Sequence, residues 1–249
     1  MLVSEVMLQQ TQVARVAPCY ERFLARWPTP AALAQSSLAD VLRAWQGLGY
    51  PRRAQALWRA AAAIDSGGWP RDEAGLRALP GVGAYTARAL LTLALGLPCP
   101  PPLDVNISRV AARAALGIEI DEAAARDLEQ AIEAARPRSL DRREYAFALF
   151  DAGALHCRAL PRCGGCPLAQ RCASRERVAL HQPAPARRQA RYEGSHRQLR
   201  GVLLSASLNS ATRLDEDAAT AAAARLRPSP DPAAVRRALE ELRAERLID

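Results

Sequence analysis

The chain contains no lysine: all 34 of its basic residues are arginine. That absence takes the usual side-chain amine out of its chemistry, so a Schiff base on the protein could form only at the N-terminal amine. Long apolar runs are also missing. No stretch approaches the roughly 20 residues that a membrane-spanning helix needs, and no segment has the order of an export signal. The cysteines cluster instead of spreading as a disulfide framework would. The chain therefore reads as cytoplasmic, where thiols stay reduced and can ligate iron. Strand-like alternation is scarce before residue 150, and no internal repeat is evident.

What is present is a basic chain of 249 residues, net charge +8 and pI near 9.7, long enough for one large domain or several small ones. A surplus of positive charge is the footprint of a polyanion partner. Helix signals run through the first 150 residues. Ser37 followed by Asp40 has the form of a capping box, and Thr29-Pro30 places proline at a first helical position. Ala-rich stretches near 54–64, 84–95 and 121–135 have high helix propensity. The fold class is therefore all-α. Residues 176–194, rich in Arg, Pro, Ala and Gln, suit an extended basic linker. Beyond it, residues 195–249 carry two amphipathic helices around a polar middle, enough for a small helical appendage. A winged-helix module and a plain packing module fit that pattern equally.

Four cysteines occupy one short stretch, Cys157, Cys163, Cys166 and Cys172, spaced C-x5-C-x2-C-x5-C. A 4Fe-4S cluster is a cube whose iron corners each take one thiolate, and a single loop can supply all four. Structural zinc is the alternative, but it usually draws on two close pairs held apart by a longer spacer. Only Cys163 and Cys166 form such a pair, so the spacing favours the cluster. Pro167 turns the chain away after the third cysteine. His156, next to Cys157, reads as a helix-end histidine because four cysteines already complete a ligand set.

Leu79-Pro80-Gly81-Val82-Gly83, followed by Ala84-Tyr85-Thr86-Ala87, joins two helices through a turn bracketed by glycines. Two glycines permit positive φ and close backbone approach. Backbone N–H groups at the start of the second helix then form a cradle for phosphate. An ordinary tight turn between helices is the plainer reading of the same residues.

These segments do not stand alone. VSEVMLQQTQV (Val3 to Val13), GLGY (Gly47 to Tyr50), LPGVGAYTA, LDVN (Leu103 to Asn106) and the cysteine loop follow one another in the order seen in MutY-type adenine DNA glycosylases. The chain resembles that family, a branch of the helix-hairpin-helix superfamily that includes endonuclease III, over roughly residues 1–175. The resemblance implies a bilobed fold: a six-helix-barrel lobe with the hairpin over 1–97, an iron–sulfur lobe over 98–175, the linker, and the helical module over 195–249. The implied substrate is double-stranded DNA carrying adenine opposite 8-oxoguanine or guanine, lying in a cleft between the lobes. The adenine is flipped out and cut from its sugar, by a monomer with no membrane association.

Residue by residue, Glu5 matches the family's catalytic acid. Apolar neighbours on its helix would raise its pKa and keep it protonated near neutrality, although a carboxylate near a helix start also suits the macrodipole. Asp104 resembles the aspartate that stabilises the sugar cation, a role compatible with capping a helix. Asn106 resembles the asparagine that helps hold this site, with Val105 where the family has glycine. Gln10 and Tyr50 resemble residues that wedge into the duplex. Leu79, Gly81 and Gly83 carry the hairpin, and Arg52, beside Arg53, suits phosphate contact. Leu8 and Tyr85 resemble residues lining the adenine pocket.

Endonuclease III-like relatives place their lysine nucleophile at the position of Tyr85, so the resemblance implies a monofunctional enzyme. An endonuclease III-like pyrimidine glycosylase, a DNA-binding remnant without catalysis and an electron-transfer protein are the competing readings. The family's Pro-Trp-Arg segment precedes the catalytic motif and is not in this chain, which is the expectation for a misassigned start or a truncation. Residues 195–249 are too short and too helical for the family's Nudix-like domain.

Overall fold

The computed structural model describes residues 1–177 and 191–249. Most of the basic segment read over 176–194 lies outside the described residues. Among the described residues every regular element is helical, as the composition requires, and no helix is long and apolar enough to cross a membrane.

Two compact units are formed, and neither is a single run of chain. One holds Leu2–Trp69, Leu79–Gly81 and residues 191–249; the other holds Pro70–Ala78 and residues 82–177.

In the first unit, α1 (Leu2–Leu8), α2 (Val13–Arg26), α3 (Pro30–Ala34), α4 (Leu38–Ala44) and α5 (Pro51–Gly67) follow one another through short turns. Caps set the starts. The Thr29 hydroxyl accepts from Ala32 N at 3.1 Å ahead of Pro30, and Ser37 accepts from Asp40 N at 3.1 Å. Each cap satisfies a backbone donor that the first turn leaves without a partner. The core is built on aromatic side chains: Phe23 meets Trp27 edge-on at 4.7 Å between ring centres, and Trp45 at 6.2 Å.

The second unit contains α6 (Glu73–Ala78), α7 (Ala84–Ala89), α8 (Val105–Ala111), α9 (Ala125–Ala135) and α10 (Arg142–Asp151). Three of these helices run on into a π-helical turn: Leu90–Ala94 after α7, Ala112–Leu116 after α8 and Ala152–His156 after α10. Such turns insert one extra residue per turn and are frequent at functional sites. The apolar core lies between α8, α9 and α10, with Ile107, Val110, Leu128, Ile132 and Leu149 buried. Arg88 ties α6, α7 and α9 together through Glu73 (3.0 Å) and Glu129 (2.6 Å).

The C-terminal residues return to the first unit as α11 (His196–Asn209), α12 (Glu216–Ala223) and α13 (Pro232–Ala244). Ser195, Asp215 and Asp231 cap them. The polar middle thus supplies a third helix, starting at an aspartate cap that the amphipathic pattern did not reveal. Leu199, Leu203, Val235, Leu239 and Leu242 form the buried seam. The module sits against α4 and α5. Gln55, itself buried, donates to the carbonyls of Glu245 and Arg246, each at 3.0 Å, and Arg43 donates to the Leu208 carbonyl at 2.9 Å.

Candidate active site

Glu5 occupies the middle of α1, between the buried Val6 and Met7 and the buried Leu2. It is half-buried, and burial raises its pKa above the ordinary glutamate value. The cause is desolvation, which penalises the charged form. Leu8, at the end of the same helix, is exposed.

Gln10 and Tyr50 share an unusual backbone. Both are non-glycine residues at positive φ, 57° and 49°, a conformation that costs an L side chain roughly 1–3 kcal/mol. Arg53 explains how both are held. From the first turn of α5 its guanidinium donates to the carbonyls of Val6 (3.1 Å) in α1 and Gln9 just beyond it, and of Leu48 (3.1 Å) and Gly49 (3.2 Å) in the other loop. It also reaches the Thr11 hydroxyl at 3.3 Å, and its guanidinium carbon stands 5.0 Å from the centre of the Tyr50 ring. One planar fork thus staples the loops that carry Gln10 and Tyr50.

Arg52 and Arg53 are neighbours in sequence with opposite fates. Arg52 is exposed, 3.9 Å from a Glu245 carboxylate oxygen, whereas Arg53 turns inward. Successive residues on a helix point about 100° apart, and that offset was the signal separating a surface arginine from an internal one.

Of the hairpin glycines, Gly81 takes positive φ (77°), while Gly83 is extended at φ −89°. A Cβ on Gly81 would come within 2.8 Å of Ala56 Cβ, so close approach and conformation both demand glycine there. Leu79 is buried and anchors the turn.

In the second unit Asp104 caps α8, accepting from Ile107 N at 2.7 Å through one oxygen. Its other oxygen accepts from the Asn106 amide at 2.9 Å. Asn106 in turn accepts from Arg109 at 2.9 Å, and Arg109 Nε donates to the backbone carbonyl of Cys157. A continuous hydrogen-bonded chain therefore runs from Asp104 to the first cysteine of the loop. Val105, at the first helical position, points 61% exposed and disturbs none of this. The π turn after α10 approaches α8 so closely that a Cβ on Gly153 would meet Asn106 Cβ at 2.6 Å. Tyr85 packs with Phe150 against Ala89, Leu93 and Ala146.

Cys157, Cys163, Cys166 and Cys172 all line one small cavity, joined by Val110, Arg113, His156 and Leu168. Burial pushes the Cys157 thiol up, and the Arg113 guanidinium opposes it. Arg113 is itself 2% exposed, bonded to both oxygens of Glu119 at 3.0 Å and to the Arg158 carbonyl at 2.7 Å. Among the described residues no three His, Cys, Asp or Glu side chains are grouped as a single metal ion would need. The four thiols share one cavity, as ligands drawn from a single loop must. No motif singled out Arg113, and the carbonyl that Arg109 reaches lies 48 residues away along the chain.

The family model for HhH-GPD superfamily base excision DNA repair proteins matches residues 3–135. An adenine DNA glycosylase of Mycolicibacterium smegmatis is 41% identical over 252 residues, covering 100% of this chain and 83% of its own length. One from Mycobacterium tuberculosis is 42% identical over 255 residues, covering 99% and 81%. The human adenine DNA glycosylase is 37% identical over 191 residues, 72% of this chain and 34% of its own. Among solved structures, a thermostable thymine-DNA glycosylase superposes with a TM-score of 0.60 at 24% identity, covering 71% of this chain and 83% of its own. A trapped endonuclease III–DNA covalent intermediate superposes with a TM-score of 0.59 at 24% identity, covering 72% and 84%. At that identity the superpositions speak for the fold alone.

Proposed function

The chain belongs to the HhH-GPD superfamily of base excision DNA repair proteins, and from that membership we propose that it excises adenine mispaired with 8-oxoguanine or guanine in duplex DNA. The observation that carries this reading is the 41% identity to an adenine DNA glycosylase over 100% of this chain; two carboxyl groups in unlike settings, one in each unit, agree with it. Glu5 is half-buried with its pKa raised, and Asp104 is locked by hydrogen bonds on both oxygens. Hydrolysis of a glycosidic bond uses such a pair, one group as acid and the other facing the sugar.

In this reading the protonated Glu5 gives its proton to a ring nitrogen of the extruded adenine. The bond from the sugar C1′ to the base then breaks, its electron pair leaving with the adenine. The Asp104 carboxylate faces the positive charge that develops on the sugar. A water adds to C1′ and surrenders a proton to the Glu5 carboxylate, leaving adenine and an abasic sugar. Asn106 borders the base pocket and, held by Arg109, positions Asp104.

Gln10 and Tyr50 fill the space left by the extruded base. The hairpin at Leu79, Gly81 and Gly83, with Arg52, holds the phosphate backbone, and Leu8 and Tyr85 border the adenine. With no lysine to attack the sugar, the enzyme is monofunctional and acts as a monomer. Cys157, Cys163, Cys166 and Cys172 are the residues that hold a 4Fe-4S cluster. When bound, the cluster supplies a covalent cross-link that shapes the loop.

The test is single-turnover release of adenine from a duplex with one A:8-oxoguanine pair. Release by the unaltered chain and its loss in Glu5→Gln, with duplex binding kept, support the proposal; borohydride should trap no covalent complex. Binding without release, in the unaltered chain, overturns it.

A further inference from the structure

Both ends of the cysteine loop are tied to the π turn that follows α8, and the ties meet on one residue. At the start of the loop, beside Cys157, the Arg158 carbonyl accepts from Arg113 Nη1 at 2.7 Å. At its end, just past Cys172, Ser174 N donates to the Arg113 carbonyl at 3.0 Å, and Ala173 N to the Ala114 carbonyl at 3.1 Å. The last carbonyls of a helix have no donor within the helix, and here two of them take donors from the loop. Ser174 is buried, and a Cβ on Gly117, which ends the turn at φ 73°, would lie 3.4 Å from Ala173 Cβ.

The guanidinium that makes the first tie is itself held. It is 2% exposed, and Glu119 accepts from its Nε at 3.0 Å and its Nη2 at 2.9 Å. A planar fork bound along one edge by a carboxylate aims its remaining nitrogen in a fixed direction, here at the Arg158 carbonyl. Swinging it away would break a buried ion pair, a strongly unfavourable change. None of these bonds uses a cysteine sulfur, so each forms whether or not the thiols hold iron.

We propose that Arg113 is a clasp that closes the cysteine loop before any iron is bound. The fold, and not the cluster alone, then brings the four thiols to one cavity. Arg113 is a positioning residue that acts through the loop backbone. The inference rests on the reading of the four cysteines as cluster ligands, and adds that the ligand set is preorganised. A loop closed in advance has already lost the chain entropy that metal binding would otherwise have to offset.

The experiment uses the full chain in two forms, iron-free after chelation and reloaded with ferrous iron and sulfide. The variants are Arg113→Met combined with Glu119→Gln, Arg113→Lys, and Arg126→Gln as a control; Arg126 is exposed on α9 and does not line the cysteine cavity. The double variant removes both charges together, so neither is left buried alone. Hydrogen exchange is followed over residues 157–162 and 172–175, with 142–149 reporting on the rest of the unit. In the iron-free unaltered chain both loop ends should be protected. The double variant should speed exchange at both ends on the order of tenfold and leave 142–149 unchanged. Arg113→Lys should fall between, because a point charge cannot reproduce the fork, and Arg126→Gln should match the unaltered chain. After reloading, the double variant should lose its visible cluster absorbance to a chelator faster than the unaltered chain.

Free exchange at both ends of the iron-free unaltered chain overturns the clasp, as does equal protection in the double variant. Faster exchange at 157–162 with 172–175 unchanged overturns the joining of both ends by one residue. If the double variant loosens 142–149 as well, Arg113→Lys decides: faster exchange at the loop ends alone supports the clasp, and unchanged ends overturn it. A chain that takes up no iron, yet has both ends held through Arg113, loses the cluster reading and keeps the clasp. One that takes up iron although its iron-free ends exchange freely keeps the cluster and loses the clasp.

Discussion

A carboxyl group held in a poor environment for charge is a stability cost that a catalyst can use. Burial raises the Glu5 pKa in the folded chain, so the folded state binds that proton more firmly than the unfolded one. Below the unfolded value both states are protonated and the site is neutral. As pH rises through the folded value, Glu5 must ionise where solvation is poor, and stability falls. Glu5→Gln should therefore raise the melting temperature at pH 8 and leave it nearly unchanged at pH 4, while abolishing adenine release. The excision rate of the unaltered chain should decline over the same rise in pH. Arg53 presents the opposite case, a charge whose two terminal nitrogens both donate to backbone carbonyls. Arg53→Lys replaces a planar fork by a point charge that cannot serve two loops. It should cost about 2 kcal/mol in urea denaturation and lower excision by misplacing Gln10 and Tyr50. The burial of Glu5 was legible from its apolar neighbours, whereas Arg53 was indistinguishable from Arg52 until the helix phase was known.

Among elements, α8 acts as a bracket. Its cap is Asp104, its first turn holds Asn106, and Arg109 one turn later grips the Cys157 carbonyl. Arg109→Gln removes the grip and leaves Asn106 without its donor. Excision should fall on the order of tenfold or more through misorientation of Asp104. Iron content per chain, read beside the rate, should fall too if the proposed cluster is held by this loop, because Arg109 anchors the Cys157 carbonyl. The cap at Asp104 could be read from the sequence, because capping is local. The link to Cys157 could not, because it joins residues 48 apart. The π turns after α7, α8 and α10 were equally hidden, since nothing in local propensity distinguishes them from α-helix.

For the molecule as a whole, the +8 charge predicts a steep salt dependence. Affinity for undamaged duplex should drop by roughly 10-fold or more between 50 and 200 mM salt if several phosphates are contacted. The C-terminal module answers to a different force. Gln55→Ala would strip the Glu245 and Arg246 carbonyls of a buried donor, costing about 1–3 kcal/mol. The first phase of urea unfolding, followed by a probe on α13, should shift to lower denaturant while catalysis under folding conditions persists.

The amino-acid sequence alone determined what depends on composition and on neighbours. The helical class, the cap residues, the hairpin turn, the cysteine loop and the lack of a lysine nucleophile all follow from local rules. Tertiary structure decided which arginines are surface and which are struts, and it returned the C-terminal helices to the unit that contains α1 to α5. Those outcomes depend on where distant carbonyls and carboxylates arrive in space, and a side chain commits to a partner only once packing has excluded water from around it.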